Sequence, residues 1–537
     1  MSLRPARRRD TGFWIGTGVV VLVVAALRVR LLSVPFERDE GEFAYAGQML
    51  LKGFLPYEHV YNMKLPGIYA AYAAILGLFG QSIEAVHFGL LLINAATAVI
   101  VGVIARGLVG SLGGVAAAAI FGAHALLPTV QGIFAQSEHF VIFAAMGGLL
   151  LLWAGLEGQR PWMLGLGGLL LGVGVLMKQH GAPFAVLGVA FVAADAVLRE
   201  RPGLLRRTLL VASCAALPYL LTVSIYLARG SFETFWYWTF TYARVYAAQV
   251  GPEEGWQNLQ TTLVPIYLGA PALWWLAALG VASLGWRSRR MRWIVGGLTA
   301  SSILAVLPGF YFRPHYFVLL LPCAAVLGAL GIASIDDFGR RLARRPVVGR
   351  AAAIACLLAS IAHTLDVHGE YLFRATPLQA VRMTYGPNPF PEAVKVGEYL
   401  AVHSDPEDRI EILGSEPQIL FYADRMGATG YIYAYPLTET HELALEMQRR
   451  RIADIEAAKP KFIVHVVFPW SWGLNPESSR LLNEWLPRYL REHYRPVALV
   501  QTFPFRRRGE EDHHHVEYDW GEDGEVGPLN PNWDRFP

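Results

Sequence analysis

Residues 33–83 hold the most chemically suggestive spacing in the chain. Asp39 and Glu40 stand side by side, Tyr45 follows, and Lys64 comes two residues before a proline. Carboxylates and an ammonium gathered in one loop suit acid/base work and anion binding together. The same acidic pair also suits the first turn of a helix, where it meets the positive end of the dipole. Glu138 and His139 lie in FAQSEHF, Lys178 and His180 in MKQHGAPF, and Arg313 and His315 flank Pro314 in GFYFRPHYF. Lys178 is suited to a phosphate, and equally to snorkelling from the end of an apolar run. The aromatic stretch 230–260 carries Tyr242 and Arg244. It would bind sugars or polyprenyl chains, or serve as an interfacial aromatic belt.

Apolar runs must position these residues. Hydrophobic residues make up 54% of the 537 and charged residues 17%, against about a quarter in soluble domains. The shortage of charge is confined to residues before about 366, and a net charge of +3 is too small to suggest nucleic acid as a partner. Stretches of about 20 apolar residues mark membrane spans. They lie near 12–32, 84–105, 112–131, 138–156, 162–178, 182–198, 207–228, 261–285, 292–309, 315–334 and 350–366, about eleven in all.

Arginine clusters orient these spans. Arg4, Arg7, Arg8 and Arg9, then Arg106, Arg160, Arg199, Arg201, Arg206 and Arg207, the group 287–292 and the group 340–350 all fall in alternate loops. The positive-inside rule therefore places the amino terminus in the cytoplasm and the loops carrying Asp39, Glu138, Lys178, Tyr242 and Arg313 outside. That parity holds only if the apolar segment 65–80 does not cross. It is expected to be an interfacial or re-entrant helix, and the amphipathic stretch 43–51 is expected to lie along the membrane surface. Arg28 and Arg30, near the outer end of the first span, are expected to snorkel. The amino-terminal stretch reads as a retained first span, not a cleaved signal. Cys214, Cys323 and Cys356 each sit in an apolar run, which excludes a disulfide framework or a cysteine metal site.

Residues 367–537 have soluble character and emerge on the outer side. Residues 409–413 and 461–467 read as strands, and 393–403, 442–458 and 478–493 as helices, which makes a small α/β domain. GSEPQILFYADR fits a strand, turn and helix with Ser415 as N-cap and Pro417 in the first turn. From about residue 506 the chain reads as loosely ordered, with the histidine run 513–515 in a solvated tail.

Taken together, RDEGEFAYAGQMLLKGFLPYEHVYNMKLPGIYAAY resembles the first periplasmic loop of the GT-C glycosyltransferases. The nearest pattern is that of the protein O-mannosyltransferases and the lipid A aminoarabinose transferase, in the manner of glycosyltransferase family 39. The shared elements are the Asp39-Glu40 pair, the aromatics Phe43 and Tyr45, and Lys64-Leu65-Pro66, which lacks the first proline of the family's Lys-Pro-Pro-like element. RPHYFVLLLPCAAVLG resembles the family's late outer loop and span, and GSEPQILFYADR a motif of the external α/β domain in prokaryotic members. Where the family often has an Arg and an Asp in the second outer loop, this chain has Gln136-Ser137-Glu138.

The resemblance implies a mainly α, polytopic GT-C fold over 1–366, with a catalytic first outer loop at 33–83 and an external α/β domain over 367–537. It implies an inverting transfer of a sugar from a polyprenyl-phosphate donor to a lipid, protein or polysaccharide acceptor, outside a prokaryotic plasma membrane. Asp39 and Glu40 would be catalytic. Lys64, Lys178, His180, Arg313 and His315 would bind the donor phosphate, and Tyr45, Glu138, Tyr242 and Arg244 the acceptor or sugar. No metal or other cofactor is required on this reading, although a divalent cation has a place at the carboxylates. The alternative is a lipid or solute transporter, or flippase, of the cell envelope. Transporters place ionisable residues near the bilayer midplane and often contain repeats, whereas here the ionisable residues cluster at one interface.

Overall fold

The computed structural model describes residues 10–199, 203–503 and 515–521. The arginines at 4 and 7–9, Arg201, His513 and His514 lie outside them. The chain forms two compact units. One comprises Met1–Ser33 with Asn62–Ala375, the other Val34–Tyr61 with Thr376–Pro537. The first outer loop is thus divided at residue 61 and does not form one piece with the spans. The last apolar helix, Pro346–Val367, runs on through a π-turn, Glu370–Arg374, to the boundary between the units.

The first eight helices are α1 (Thr11–Val29), α2 (Arg38–Leu51), α3 (Gly67–Phe79), α4 (Ile83–His124), α5 (Ser137–Gly158), α6 (Pro161–Met177), α7 (Ala182–Leu198) and α8 (Leu204–Ala228). All but α2 belong to the first unit. Seven of the helical segments described are long and apolar enough to cross a membrane, or eight if a bent pair is taken as one span. One of the seven, α4, has 42 residues, about 63 Å of helix and twice a bilayer core. It is broken at Gly110, whose φ of 83° only glycine adopts without strain. Beyond the break it folds back on itself. A Cβ on Gly102 would stand 3.1 Å from the Gly114 carbonyl, whereas a straight helix would hold the two about 18 Å apart. The expected spans 84–105 and 112–131 are therefore the two arms of this hairpin.

Every other stretch expected to span is also helical, with one correction. The stretch 261–285 is not straight. Pro252–Gly269 and Pro271–Trp286 meet at 101°, because Pro271 cannot continue a helix but readily starts one. At 13 residues, α3 is about 20 Å long, too short for a hydrocarbon core of about 30 Å. Its Tyr72 hydroxyl donates to the Ala135 carbonyl at 2.7 Å, which ties the helix to the loop before α5.

In the second unit, β1 (Arg409–Leu413) pairs in parallel with β2 (Met426–Gly427) and β3 (Phe462–His465), in the order β2-β1-β3. Helices Phe390–His403, Ala444–Ala458 and Leu481–His493 match those read from the sequence. An antiparallel ribbon, β4 (Leu499–Phe503) with β5 (His515–Asp519), was not expected. For residues 515–519, the part of the stretch from 506 that pairs, it corrects the picture of a loose end. His515 is buried, stacks on Phe503 and pairs with Glu517 at 3.0 Å.

Candidate active-site residues

In the second unit α2 carries the acidic pair. Glu37 accepts the Glu40 N–H at 2.8 Å and Glu40 returns to the Glu37 N–H at 3.4 Å, a reciprocal capping box. Glu40 is completely buried. Of the two residues predicted as catalytic, Glu40 caps the helix and Asp39 keeps part of its surface. The Tyr433 hydroxyl donates to the Arg38 carbonyl at 2.9 Å and lies 3.3 Å from Asp39 Oδ1.

The helix is buried from Glu40 to Met49, so it does not lie along a membrane surface as its amphipathic stretch suggested. The motif GSEPQILFYADR receives it within the unit. Arg38 pairs with buried Glu416 at 3.0 Å and donates to the Ser415 carbonyl at 3.0 Å. Gly41 lies so close to Gln418 that a Cβ there would stand 2.7 Å from the Gln418 nitrogen. The Tyr422 hydroxyl accepts the Phe36 N–H at 2.9 Å, and Asp424 pairs with Lys52 at 2.7 Å. Ser415 is not the N-cap expected of it, a position that Pro417 takes. The Ser415 hydroxyl instead donates to the Ser471 carbonyl and accepts the Ala434 N–H. Tyr45, predicted to bind sugar, is completely buried with its hydroxyl on the Gly427 N–H at 2.8 Å, which leaves no face for a sugar. Burial pushes that hydroxyl up to about 12.

In the first unit three separate loops meet around one ring. The Lys178 ammonium lies 2.5 Å from Glu138 and 4.1 Å from the Tyr316 ring centroid. The His180 and His315 rings pack edge-on to the same tyrosine, at 5.0 and 4.9 Å. The start of α5 supplies Glu138, the end of α6 Lys178 and His180, and the 3-10 turn Pro314–Leu320 the other two. Successive antiparallel helices therefore bring these termini to one end of the unit. His180 Nδ1 faces the Ala305 carbonyl at 2.7 Å and His315 Nδ1 faces Gln131 Oε1 at 2.8 Å. Both partners are acceptors, so each ring carries its proton on Nδ1. The predicted phosphate lysine and the predicted acceptor-site glutamate are thus a single ion pair.

Lys64 is drawn toward this end of the unit, since Gln179 donates to the Met63 carbonyl at 3.1 Å. Arg313 is exposed over Tyr311, 5.7 Å from its centroid, and Tyr311 stacks on Tyr246 at 4.4 Å. Tyr246 in turn lies 6.5 Å from Tyr242, which is buried, while Arg244 is exposed on the same short helix. Phe310 and Phe312 have φ of 55° and 45°. Left-handed backbone strains such bulky residues, and the second of them directly precedes Arg313.

The sequence reading missed Tyr316 and Gln131 and misjudged Arg28. The signal for Tyr316 was its place next to His315. Arg28 does not snorkel; it is buried and donates to the Ala125 and Gly132 carbonyls at 2.6 and 2.8 Å, closing the loop that presents Gln131. Arg30 donates to the Leu372 and Ala375 carbonyls. His139 is buried against Asn94.

Comparison with known proteins agrees with this architecture. The family model for dolichyl-phosphate-mannose-protein mannosyltransferase matches residues 64–226, which include Lys64, Glu138, Lys178 and His180. Among solved structures, ArnT from Cupriavidus metallidurans bound to undecaprenyl phosphate matches with a TM-score of 0.53 and 15% identity, over 97% of this chain and 100% of that one. AglB, the oligosaccharyltransferase from Archaeoglobus fulgidus, in complex with an inhibitory peptide and a dolichol-phosphate, matches with a TM-score of 0.54 and 13% identity, over 85% of this chain and 70% of that one. No curated protein matches the chain in sequence. The chain shares its fold with these two structures, combining several apolar helices with a small C-terminal α/β unit.

Proposed function

We propose that this chain is a membrane glycosyltransferase that moves a sugar from a polyprenyl-phosphate donor to an acceptor outside a prokaryotic plasma membrane. The observation that carries the reading is the gathering of Glu138, Lys178, His180 and His315 around Tyr316 at one end of an apolar unit. Buried ionisable groups in such a unit are costly unless they serve a function. Most of the cluster falls in the segment that matches the mannosyltransferase family, and the fold is shared with proteins solved with undecaprenyl phosphate and dolichol-phosphate.

In this reading Asp39 accepts the proton of the acceptor hydroxyl while that oxygen bonds to the anomeric carbon. The bond from that carbon to the phosphate oxygen breaks, its electron pair leaves with the polyprenyl phosphate, and the carbon is inverted. The leaving group needs charge neutralisation more than a proton, and Lys64 and Arg313 supply it. Lys178 orders Glu138 and the histidines at one end of the first unit. The tyrosine ladder through Tyr242 lies beside Arg313. No metal is required on this reading. Activity that survives a chelator would support that part.

The test is lipid mass spectrometry on membranes with and without the chain. The expected result is loss of one polyprenyl-phosphate sugar with release of polyprenyl phosphate, abolished in Asp39→Asn at equal expression. Unchanged lipid-linked sugars would overturn the reading. External protease acting on intact cells tests the sidedness, and should cleave within 376–537.

A further inference from the structure

We infer that Tyr433 is the positioning residue of Asp39, so that the segment 427–434 belongs to the catalytic apparatus. The inference deepens the proposed function, because it rests on the role given there to Asp39.

Three hydrogen bonds fix the segment against its own unit. The Gly427 N–H donates to Tyr45 Oη at 2.8 Å, the Tyr61 N–H to the Gly430 carbonyl at 2.8 Å, and the Ala434 N–H to Ser415 Oγ at 3.0 Å. The Tyr433 ring is buried and stacks on Tyr435 at 5.8 Å. Its hydroxyl therefore arrives at the first turn of α2 with little freedom. It has one proton and two acceptors, the Arg38 carbonyl at 2.9 Å and Asp39 Oδ1 at 3.3 Å. An ionised carboxylate is the stronger acceptor of the two, and draws the proton when it turns toward the hydroxyl.

The surroundings make this hydroxyl a constant donor. Burial first, then the charges of Glu42, Asp39 and Glu37, push it well above the usual tyrosine range. The charges of Glu37 and Glu42 reach the Tyr433 hydroxyl together with that of Asp39, Glu37 also interacts with Asp39 and Glu40, and Arg38 is turned to Glu416. Among so many carboxylates, Tyr433 is a neutral donor that favours the ionised form of Asp39. A base needs that form before it takes a proton.

The test compares the wild type, Tyr433→Phe, and the protein carrying 3-fluorotyrosine at position 433. An apolar carbodiimide reacts with a carboxyl group in its protonated form, and peptide mass spectrometry reads the modification at Asp39 as pH is varied. In Tyr433→Phe the labelling midpoint should rise by roughly one pH unit. In the fluorotyrosine protein, whose hydroxyl is the stronger donor, it should fall. The acid limb of the transfer reaction should follow both shifts, and the phenylalanine variant should lose roughly ten-fold in kcat with KM little changed. One midpoint shared by all three proteins would overturn the inference, whatever their activity. Opposed shifts in a wild type that consumes no polyprenyl-phosphate sugar would uphold the link from Tyr433 to Asp39 and sink the transferase reading. If the phenylalanine variant fails to fold, the fluorotyrosine protein still decides the sign.

Discussion

The Lys178 ammonium lies 2.5 Å from the Glu138 carboxylate, and the Tyr316 ring covers the ammonium at 4.1 Å. Glu138 is fully buried and Lys178 nearly so. Removing one partner of such a pair strands a charge, at a cost of about 3–5 kcal/mol, whereas replacing both with residues of similar size costs much less. Glu138→Ala and Lys178→Ala should therefore each destabilise the protein by about 3 kcal/mol. The double variant Glu138→Gln with Lys178→Met should recover at least half of that. Thermal unfolding in detergent, run on all four proteins, measures the coupling. A double variant as unstable as the sum of the single ones would show that the two side chains are not a unit.

Under the proposed function Asp39 and Glu40 have different work, and one pair of isosteric changes separates them. Asp39→Asn should lower transfer by about 10²–10⁴-fold, the range lost with a general base, and leave the melting temperature unchanged. Glu40→Gln keeps an acceptor for the Glu37 N–H, because glutamine serves the capping box as well as glutamate. It should keep both stability and most of the activity, whereas Glu40→Ala should cost about 1 kcal/mol through the lost cap. Loss of transfer in Glu40→Gln at full stability would return Glu40 to the catalytic role.

Most of the apolar architecture was legible because a bilayer imposes a length on every helix that crosses it. The hairpin arms of α4 followed from that rule, and the short α3 from the rule together with the alternation of the arginines. The bend at Pro271 was not read, since apolar composition continues across it. In the second unit, helix periodicity survived, whereas β2 with two residues and β5 inside a charged stretch left no pattern to find. The candidate residues were legible by type. Their pairing was not, because the chain separation between Glu138 and Lys178, or between Asp39 and Tyr433, carries no trace of contact. Arg28 was misread for a related reason, since composition shows a charge near a span end but not the carbonyls of residues 125 and 132 that it meets.

Gly41 gives a stringent test of how the motif GSEPQILFYADR holds α2. A Cβ at position 41 would lie 2.6 Å from the Gln418 Cβ and 2.7 Å from its nitrogen, and backbone does not yield as a flexible side chain does. Gly41→Ala would normally favour a helix by close to 1 kcal/mol. Here it should destabilise by about 1–3 kcal/mol, the usual cost of overpacking. Hydrogen exchange at 38–51 should quicken in step. A variant more stable than the wild type would show that the close approach is not maintained.

Glu37 should make stability depend on pH. Burial first, then the charges of Asp39 and Glu40, hold its carboxyl well above the ordinary value of 4.5. Between that value and its own, the folded protein binds a proton that the unfolded chain has lost. Stability therefore falls as pH rises through this window and is fully present only below it. Glu37→Gln cannot titrate, yet its amide oxygen still accepts the Glu40 N–H. Between about pH 5 and about pH 8 the melting temperature of the wild type should decline more steeply than that of the variant, the gap widening as pH rises. Melting curves recorded in one detergent across that range decide the matter. Parallel curves would mean that Glu37 titrates alike in the folded and unfolded chains, and that the crowding of carboxylates at the start of α2 costs the fold nothing.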